Sequence, residues 1–168
     1  GQNSSGNCTL RKVSAHDPSK TYFNVELAVD NITCMTVTGY YITLGIDDPT
    51  NYIQYYTVAN PTSAPAPIST PSGIVEVPIE VVSGGGYLWW LFPGNASGEN
   101  AKITKTTYAG VLQETIDLIY SGDIVLNARG LAYDNGDLWV ATYTDPVQLW
   151  RVFDIGGGVW DLKQNNIV

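Results

Sequence analysis

The residues of this chain that could carry out chemistry are few. A Ser-His-Asp triad needs a rigidly held histidine, but His16 is the only one and precedes Asp17-Pro18 in a polar stretch. Two carboxylates facing each other across a cleft would suit glycoside hydrolysis. The closely spaced pairs are Asp47 with Asp48, Glu76 with Glu80, and Asp134 with Asp137. Each pair is also explained by turn or strand-surface polarity, so we predict no catalytic residue and no enzyme.

Metal and cofactor sites are not predicted either. One histidine and two cysteines, Cys8 and Cys34, do not supply the four suitably spaced ligands of a structural zinc site. Carboxylates at 47–48 and 134–137 offer oxygen ligands for Ca²⁺, but neither segment matches an EF-hand loop. We therefore expect neither a metal ion nor a cofactor.

Four N-glycosylation sequons begin at Asn3, Asn7, Asn31 and Asn95. A sequon matters only if the chain passes a glycosylating membrane. Three of the four precede residue 34, which favours a glycoprotein that is extracellular or at the cell surface over a chance result of composition. An oxidising compartment would also favour a disulfide between Cys8 and Cys34, worth roughly 3–4 kcal/mol. Two buried free thiols are the alternative.

Composition excludes several classes of partner. Charged residues make up only 14%, the net charge is −8, and the eight basic residues are scattered. No basic patch exists to neutralise phosphates, so we predict no binding to nucleic acid or to an anionic membrane surface. The longest apolar run, 87–92, is far shorter than the ~20 residues of a membrane-spanning helix. The chain begins at Gly1 without a signal peptide, which we interpret as a processed or trimmed form.

Apolar residues alternate with polar ones along most of the chain, which predicts β-strands. Phe23, Val25 and Leu27 fall on one face of a first strand, and 32–38 is expected to pair with it. Asn135-Gly136 between apolar runs predicts a tight hairpin. Segment 112–120 fits a strand better than a short helix. We predict one all-β domain over 1–168, either an antiparallel β-sandwich or blade-like hairpin repeats. A strand from a neighbouring subunit could complete either arrangement.

Two segments are not expected to form interior strands. Residues 1–20 are polar and are predicted to be a tail or a donor segment. Residues 60–73 contain four prolines, which lack the N–H that a central strand donates, so this segment is predicted to be a loop or an edge.

A weak internal repeat begins at Tyr40, Tyr87 and Leu138, with an aromatic-rich strand, a polar loop and a second strand in each unit. The third unit contains 129–141, RGLAYDNGDLWVA, preceded by the strand-like 109–116. Residues 105–155 thereby resemble a blade of the NHL and SMP-30-like β-propellers. Such propellers need at least four blades. The resemblance therefore implies that another copy of the chain completes the three units. The alternative is that the repeat only reflects a sequence pattern common to β-hairpins.

The aromatic residues are the candidates for binding. Trp89 and Trp90 are adjacent, so on a strand their side chains point to opposite faces. This predicts one tryptophan in the core and one at an interface or ligand site. Trp160, in the β-prone segment 159–168, is a third candidate, and core packing is the alternative for Trp89, Trp139, Trp150 and Trp160.

Together these observations predict a non-enzymatic, secreted or cell-surface glycoprotein. Its predicted role is that of a structural subunit that assembles into an extracellular filament or surface layer by β-strand addition between copies. The alternative is a carbohydrate-binding module or lectin that uses exposed Trp and Tyr, with glycans as partners.

Overall fold

The computed structural model describes residues 8–27, 31–39, 41–47, 53–57, 66–68, 77–94, 99–125, 127–144 and 146–165. Within these ranges the chain forms sixteen strands and no helix, and every strand pairing is antiparallel. The predicted all-β antiparallel fold is confirmed. The described residues accordingly include no helix that is long and apolar enough to cross a membrane.

The strands form two hairpins and three four-stranded sheets. The first hairpin pairs β1 (Cys8–Val13) with β2 (Thr21–Leu27). Sheet 1 contains β3 (Ile32–Thr38), β4 (Tyr41–Ile46), β5 (Ile53–Thr57) and β6 (Ala66–Ile68). Sheet 2 contains β7 (Glu80–Gly84), β8 (Tyr87–Phe92), β9 (Lys102–Thr106) and β10 (Leu112–Asp117). A short hairpin of β11 (Ile119–Tyr120) and β12 (Asp123–Ile124) leads to sheet 3, which contains β13 (Ala128–Asp134), β14 (Asp137–Thr142), β15 (Gln148–Gly156) and β16 (Val159–Asn165).

Each sheet is a meander in which strands pair in chain order, and the sheets follow one another as layers. The first strands of the three sheets lie side by side, since β7 of sheet 2 contacts both β3 of sheet 1 and β13 of sheet 3. Four-stranded meanders stacked in this way are the units of a β-propeller, whereas a sandwich has two sheets. The three repeat units read from the sequence coincide with the middle strand pairs, β4–β5, β8–β9 and β14–β15.

Three apolar clusters lie between the layers. The first, between hairpin β1–β2 and sheet 1, includes Leu10, Leu27 and Leu44. The second, between sheets 1 and 2, includes Cys34, Val81 and Trp90. The third and largest, between sheets 2 and 3, contains these fully or nearly fully buried residues: Trp89, Leu91, Ala101, Ile103, Ile116, Leu118, Val125, Ala128, Leu131, Leu138, Val140, Trp150, Val152 and Leu162.

The sheets share one register, which makes positions comparable between them. Counted from the turn before it, the second residue of each second strand is Ile42, Leu88 or Leu138, and each packs toward the preceding layer. The third residue is Thr43, Trp89 or Trp139 and points toward the following layer, since neighbours on a strand alternate. The repeat therefore extends to side-chain direction.

The turn predicted at Asn135-Gly136 is confirmed. These residues connect β13 to β14 with φ values of 50° and 101°. A type I′ turn needs positive φ at both central residues, and asparagine and glycine adopt it with the least strain.

Two of the predicted elements differ in the structure, and two others agree with the prediction. The polar segment 1–20 is not simply a tail, because Cys8–Val13 forms a strand whose Leu10 is buried. Strand β3 pairs with β4 and not with β2, so the chain leaves the first hairpin and begins a new layer. Segment 112–120 is indeed extended, as β10 and β11. Within 60–73, Ala66–Ile68 forms the edge strand β6, and the other residues of that segment lie outside the described ranges.

Gly84 is a point where sheets 2 and 3 touch, and it gives a test of their packing. An added Cβ there would overlap the ring of Tyr133 on β13. We expect Gly84→Ala to lower the free energy of unfolding by about 1–3 kcal/mol through overpacking, measured by urea denaturation.

Gly130→Ala is the matched control, because a Cβ at that strand position meets only Ala141 Cβ, at 3.6 Å. We expect it to change stability by no more than about 0.5 kcal/mol. Equal stabilities for the two variants would contradict the described contact between the sheets.

Candidate functional sites

The adjacent tryptophans are both in the core, so the prediction that one is exposed is wrong. Trp89 is 3% exposed and Trp90 0%. Their side chains do point to opposite faces, but sheet 1 covers one face of sheet 2 and sheet 3 covers the other. Trp90 Nε1 donates to Thr106 Oγ1 at 3.0 Å, and Trp89 Nε1 donates to the Gly84 carbonyl at 3.1 Å. Neither ring is available to a ligand.

Trp160 is half-buried and joins two sheets. Its Nε1 donates to Glu114 Oε1 at 2.6 Å, across from β16 to β10. Its ring meets Trp89 edge-on, with 5.6 Å between centroids. Glu114 also lies 3.8 Å from Lys105 Nζ. These contacts assign Trp160 a role in holding sheet 3 on sheet 2.

Cys8 and Cys34 are both buried free thiols, so the predicted disulfide is not formed in the structure. The physical reason is the layering. Cys8 belongs to the cluster between the first hairpin and sheet 1, whereas Cys34 points to the opposite face of sheet 1, toward sheet 2. The sheet between them keeps the two sulfur atoms apart.

The groove beside β1 is the first of three surfaces that the fold leaves open. It lies along the edge of β1 that faces away from β2, and no described strand pairs with that edge. Met35 and Val37 of β3 line it together with the β1 side chains Leu10 and Arg11. Within the described residues it forms neighbouring cavities of about 190 and 600 Å³.

The repeat explains why this groove is open. Met35 holds the place in sheet 1 that Val81 holds in sheet 2, since each is paired opposite an equivalent residue of the second strand. Val81 is 2% exposed because sheet 1 covers it, but Met35 is 49% exposed. The hairpin β1–β2 precedes β3 in the chain, as the last two strands of a layer would. The structure describes two strands in this layer and four in each of the three sheets.

The outward face of sheet 3 is the second open surface. Trp139 occupies the position in sheet 3 that Trp89 occupies in sheet 2. Sheet 3 covers Trp89, whereas Trp139 is only half-buried. Phe153 lies on the same face, with the Arg151 guanidinium 5.0 Å from its ring centroid. Arg151 also makes a 2.7 Å ion pair with Asp137. This face is apolar at its centre and lies at the opposite end of the row of layers from the β1 groove.

A cleft of about 490 Å³ is the third surface, between hairpin β11–β12 and the outer strands of sheet 3. Tyr120 and Trp150 form one side, with 5.1 Å between ring centroids. Asp123, Asn127, Gln148 and Gln164 contribute polar groups. The sequence analysis gave core packing as the alternative to a binding role for Trp150 and did not single out Tyr120, because their proximity depends on the packing of β11 near β16.

The acidic residues and the histidine do not converge. His16 is exposed in the turn between β1 and β2. Asp134 and Asp137 are paired at the end of the β13–β14 hairpin, and Asp137 is engaged by Arg151. Glu80 lies in β7 of sheet 2 and Asp47 directly follows β4 of sheet 1, while Asp48 and Glu76 fall outside the described residues. No group of three His, Cys, Asp or Glu side chains comes together in the described ranges.

The sequon at Asn31 is the one whose surroundings the structure describes. Asn31 is exposed, with φ of 53°, immediately before β3. The Thr33 hydroxyl donates to the Pro78 carbonyl at 2.6 Å. Asn3, Asn7 and Asn95 lie outside the described residues. Glycosylation at all four sites stays a prediction.

No model of a known protein family matches this sequence, and a search of curated proteins gives no match.

Cys34 gives a prediction about pH. Burial raises the pKa of its thiol from the ordinary 9.0 to about 12, and hydrogen bonds from Thr33 and the Gly45 backbone offset only part of this. Below pH 9 the thiol is neutral in both folded and unfolded chains. Between pH 9 and 12 the unfolded chain ionises first, so this residue's contribution to stability is lost as pH rises.

We expect the stability difference between wild type and Cys34→Ala to shrink by up to about 1.4 kcal/mol per pH unit in that range. Comparison of urea denaturation at about pH 8 and about pH 11 measures it, and cancels the titration of other residues. A difference that does not change with pH would contradict the burial of this thiol.

Proposed function

We propose that this chain is a non-enzymatic structural protein that self-assembles outside the cell or at its surface. The observation that carries the proposal is the open groove beside β1, where Met35 and Val37 are exposed next to a strand edge with which no described strand pairs. Unpaired edges with adjacent apolar surface are the usual sites of β-strand addition. The four sequons and the low content of charged residues support the location.

The occupant we propose for this groove is a second copy of the chain. The groove and the outward face of sheet 3 lie at opposite ends of the row of layers, and each continues the packing already used between the layers. A contact between two different surfaces is heterologous, and it produces an open filament unless rotation closes it into a ring. The repeat thus favours end-to-end assembly.

The β1 edge itself limits how strand addition would occur. The β1–β2 register shifts between Lys12 and Val13, and Arg11 and Lys12 are exposed. Bulges and basic side chains discourage indiscriminate edge pairing. Pairing is therefore expected along Cys8–Leu10, where the strand is regular, which would keep the association specific.

The test is the mass of the purified chain by light scattering over a range of concentrations, together with negative-stain electron microscopy. We expect filaments or closed rings for the wild type. Val37→Lys places a charge in the groove and is expected to give monomers, because an unpaired buried charge is costly. Val111→Lys is the matched control, since Val111 is 59% exposed and Val37 57%, and it should assemble normally.

Mixing two end variants tests the direction of assembly. Ala132→Lys changes an exposed residue paired with Trp139 on the outward face of sheet 3. Each variant alone should be monomeric, but a mixture with Val37→Lys should form dimers through the two intact ends. A wild type that stays monomeric at high concentration would overturn the proposal, as would unimpaired assembly of Val37→Lys.

A further inference from the structure

The cleft between hairpin β11–β12 and sheet 3 has the composition of a ligand site. We propose that it binds a neutral sugar. This inference is independent of self-assembly, because the cleft shares no residue with the β1 groove or with the outward face of sheet 3. Its volume of about 490 Å³ lies within the roughly 300–1,000 Å³ typical of small-molecule sites.

The aromatic side of the cleft offers a surface for the apolar face of a sugar ring. Tyr120 is 39% exposed, so part of its ring is accessible to a ligand. The buried Trp150 ring, tilted by 60° to it, fixes its position from behind. Hairpin β11–β12 holds Tyr120 there through its turn at Ser121 and Gly122, whose φ values are 51° and 87°.

The polar side of the cleft matches hydroxyl groups. Asn127, Gln148 and Gln164 carry amides that can both donate and accept, and Asp123 carries acceptor oxygens. Sugar hydroxyls also donate and accept, so amides opposite an aromatic surface satisfy both parts of such a ligand. Trp150 Nε1 is buried without an acceptor among the described residues, so a ligand oxygen reaching it would gain a hydrogen bond without breaking one.

Charge narrows the choice of ligand. None of the residues that line the cleft is basic, and Asp123 is acidic, so phosphates, sulfates and acidic sugars are disfavoured. A quaternary ammonium group is the other ligand that aromatic rings and a carboxylate can hold. A quaternary ammonium group neither donates nor accepts hydrogen bonds, so the amides of Asn127, Gln148 and Gln164 would form none with it. The amides therefore favour a neutral hydroxylated ligand.

The test is saturation-transfer NMR of the full chain with a panel of neutral methyl glycosides, followed by a glycan array to identify the sugar. We expect transfer to at least one glycoside. Tyr120→Ala and Gln148→Ala should each weaken its binding by about tenfold or more. Tyr22→Ala, which removes an exposed tyrosine from the distant β2, should leave binding unchanged.

Circular dichroism of each variant separates loss of binding from loss of fold. Absence of binding to every neutral glycoside would overturn the proposal, and so would binding that survives both Tyr120→Ala and Gln148→Ala. Binding of choline in place of sugars would assign the cleft to an ammonium ligand and would also overturn it. The assembly state of the same variants is expected to match that of the wild type, so failure here leaves the assembly proposal standing.

Discussion

The structure depends on sheets that are apolar on both faces. Sheet 2 shows the constraint most clearly, because Trp89 and Trp90 follow one another on β8 and neither can be left in water without losing a large part of the burial free energy. A sheet of this kind must be covered twice. Stacking in a row satisfies the requirement for every inner layer, and it brings β3, β7 and β13 side by side.

A row of stacked sheets has two ends, and the proposed self-assembly uses the surfaces at these ends. At the end formed by β1–β2 two strands are described, and Met35 is exposed, while at the end formed by sheet 3 Trp139 is half-buried. Both surfaces are made of residues whose counterparts inside the row are buried. The cleft beside Tyr120 arises differently, from the short hairpin β11–β12 inserted between sheets 2 and 3. A structural role and a binding role can therefore coexist without competing for residues.

The sequence predicted most of the local structure, because strand and turn signals are short-range. Alternation identified β2, and Asn135-Gly136 identified the hairpin between β13 and β14, since positive φ is a property of those residues themselves. The repeat located the middle strands of all three sheets. The errors concern β1, which lies in a segment predicted to be a tail or donor segment, and the partners of strands. Proximity along the chain suggested that β3 would pair with β2, but β3 pairs with β4 in the next layer.

The sequence by itself determined the all-β character, the positions of the turns, and the low and scattered content of charged residues. It also determined that successive side chains of each strand point to opposite faces. What only the tertiary structure decided is which face each layer covers. Two adjacent tryptophans must point to opposite sides whatever the fold, but whether both sides are dry depends on sheets formed by residues far away in the chain. The same layering separated Cys8 from Cys34, because a whole sheet lies between their clusters. It also placed Tyr120 beside Trp150, a contact that no local pattern contains.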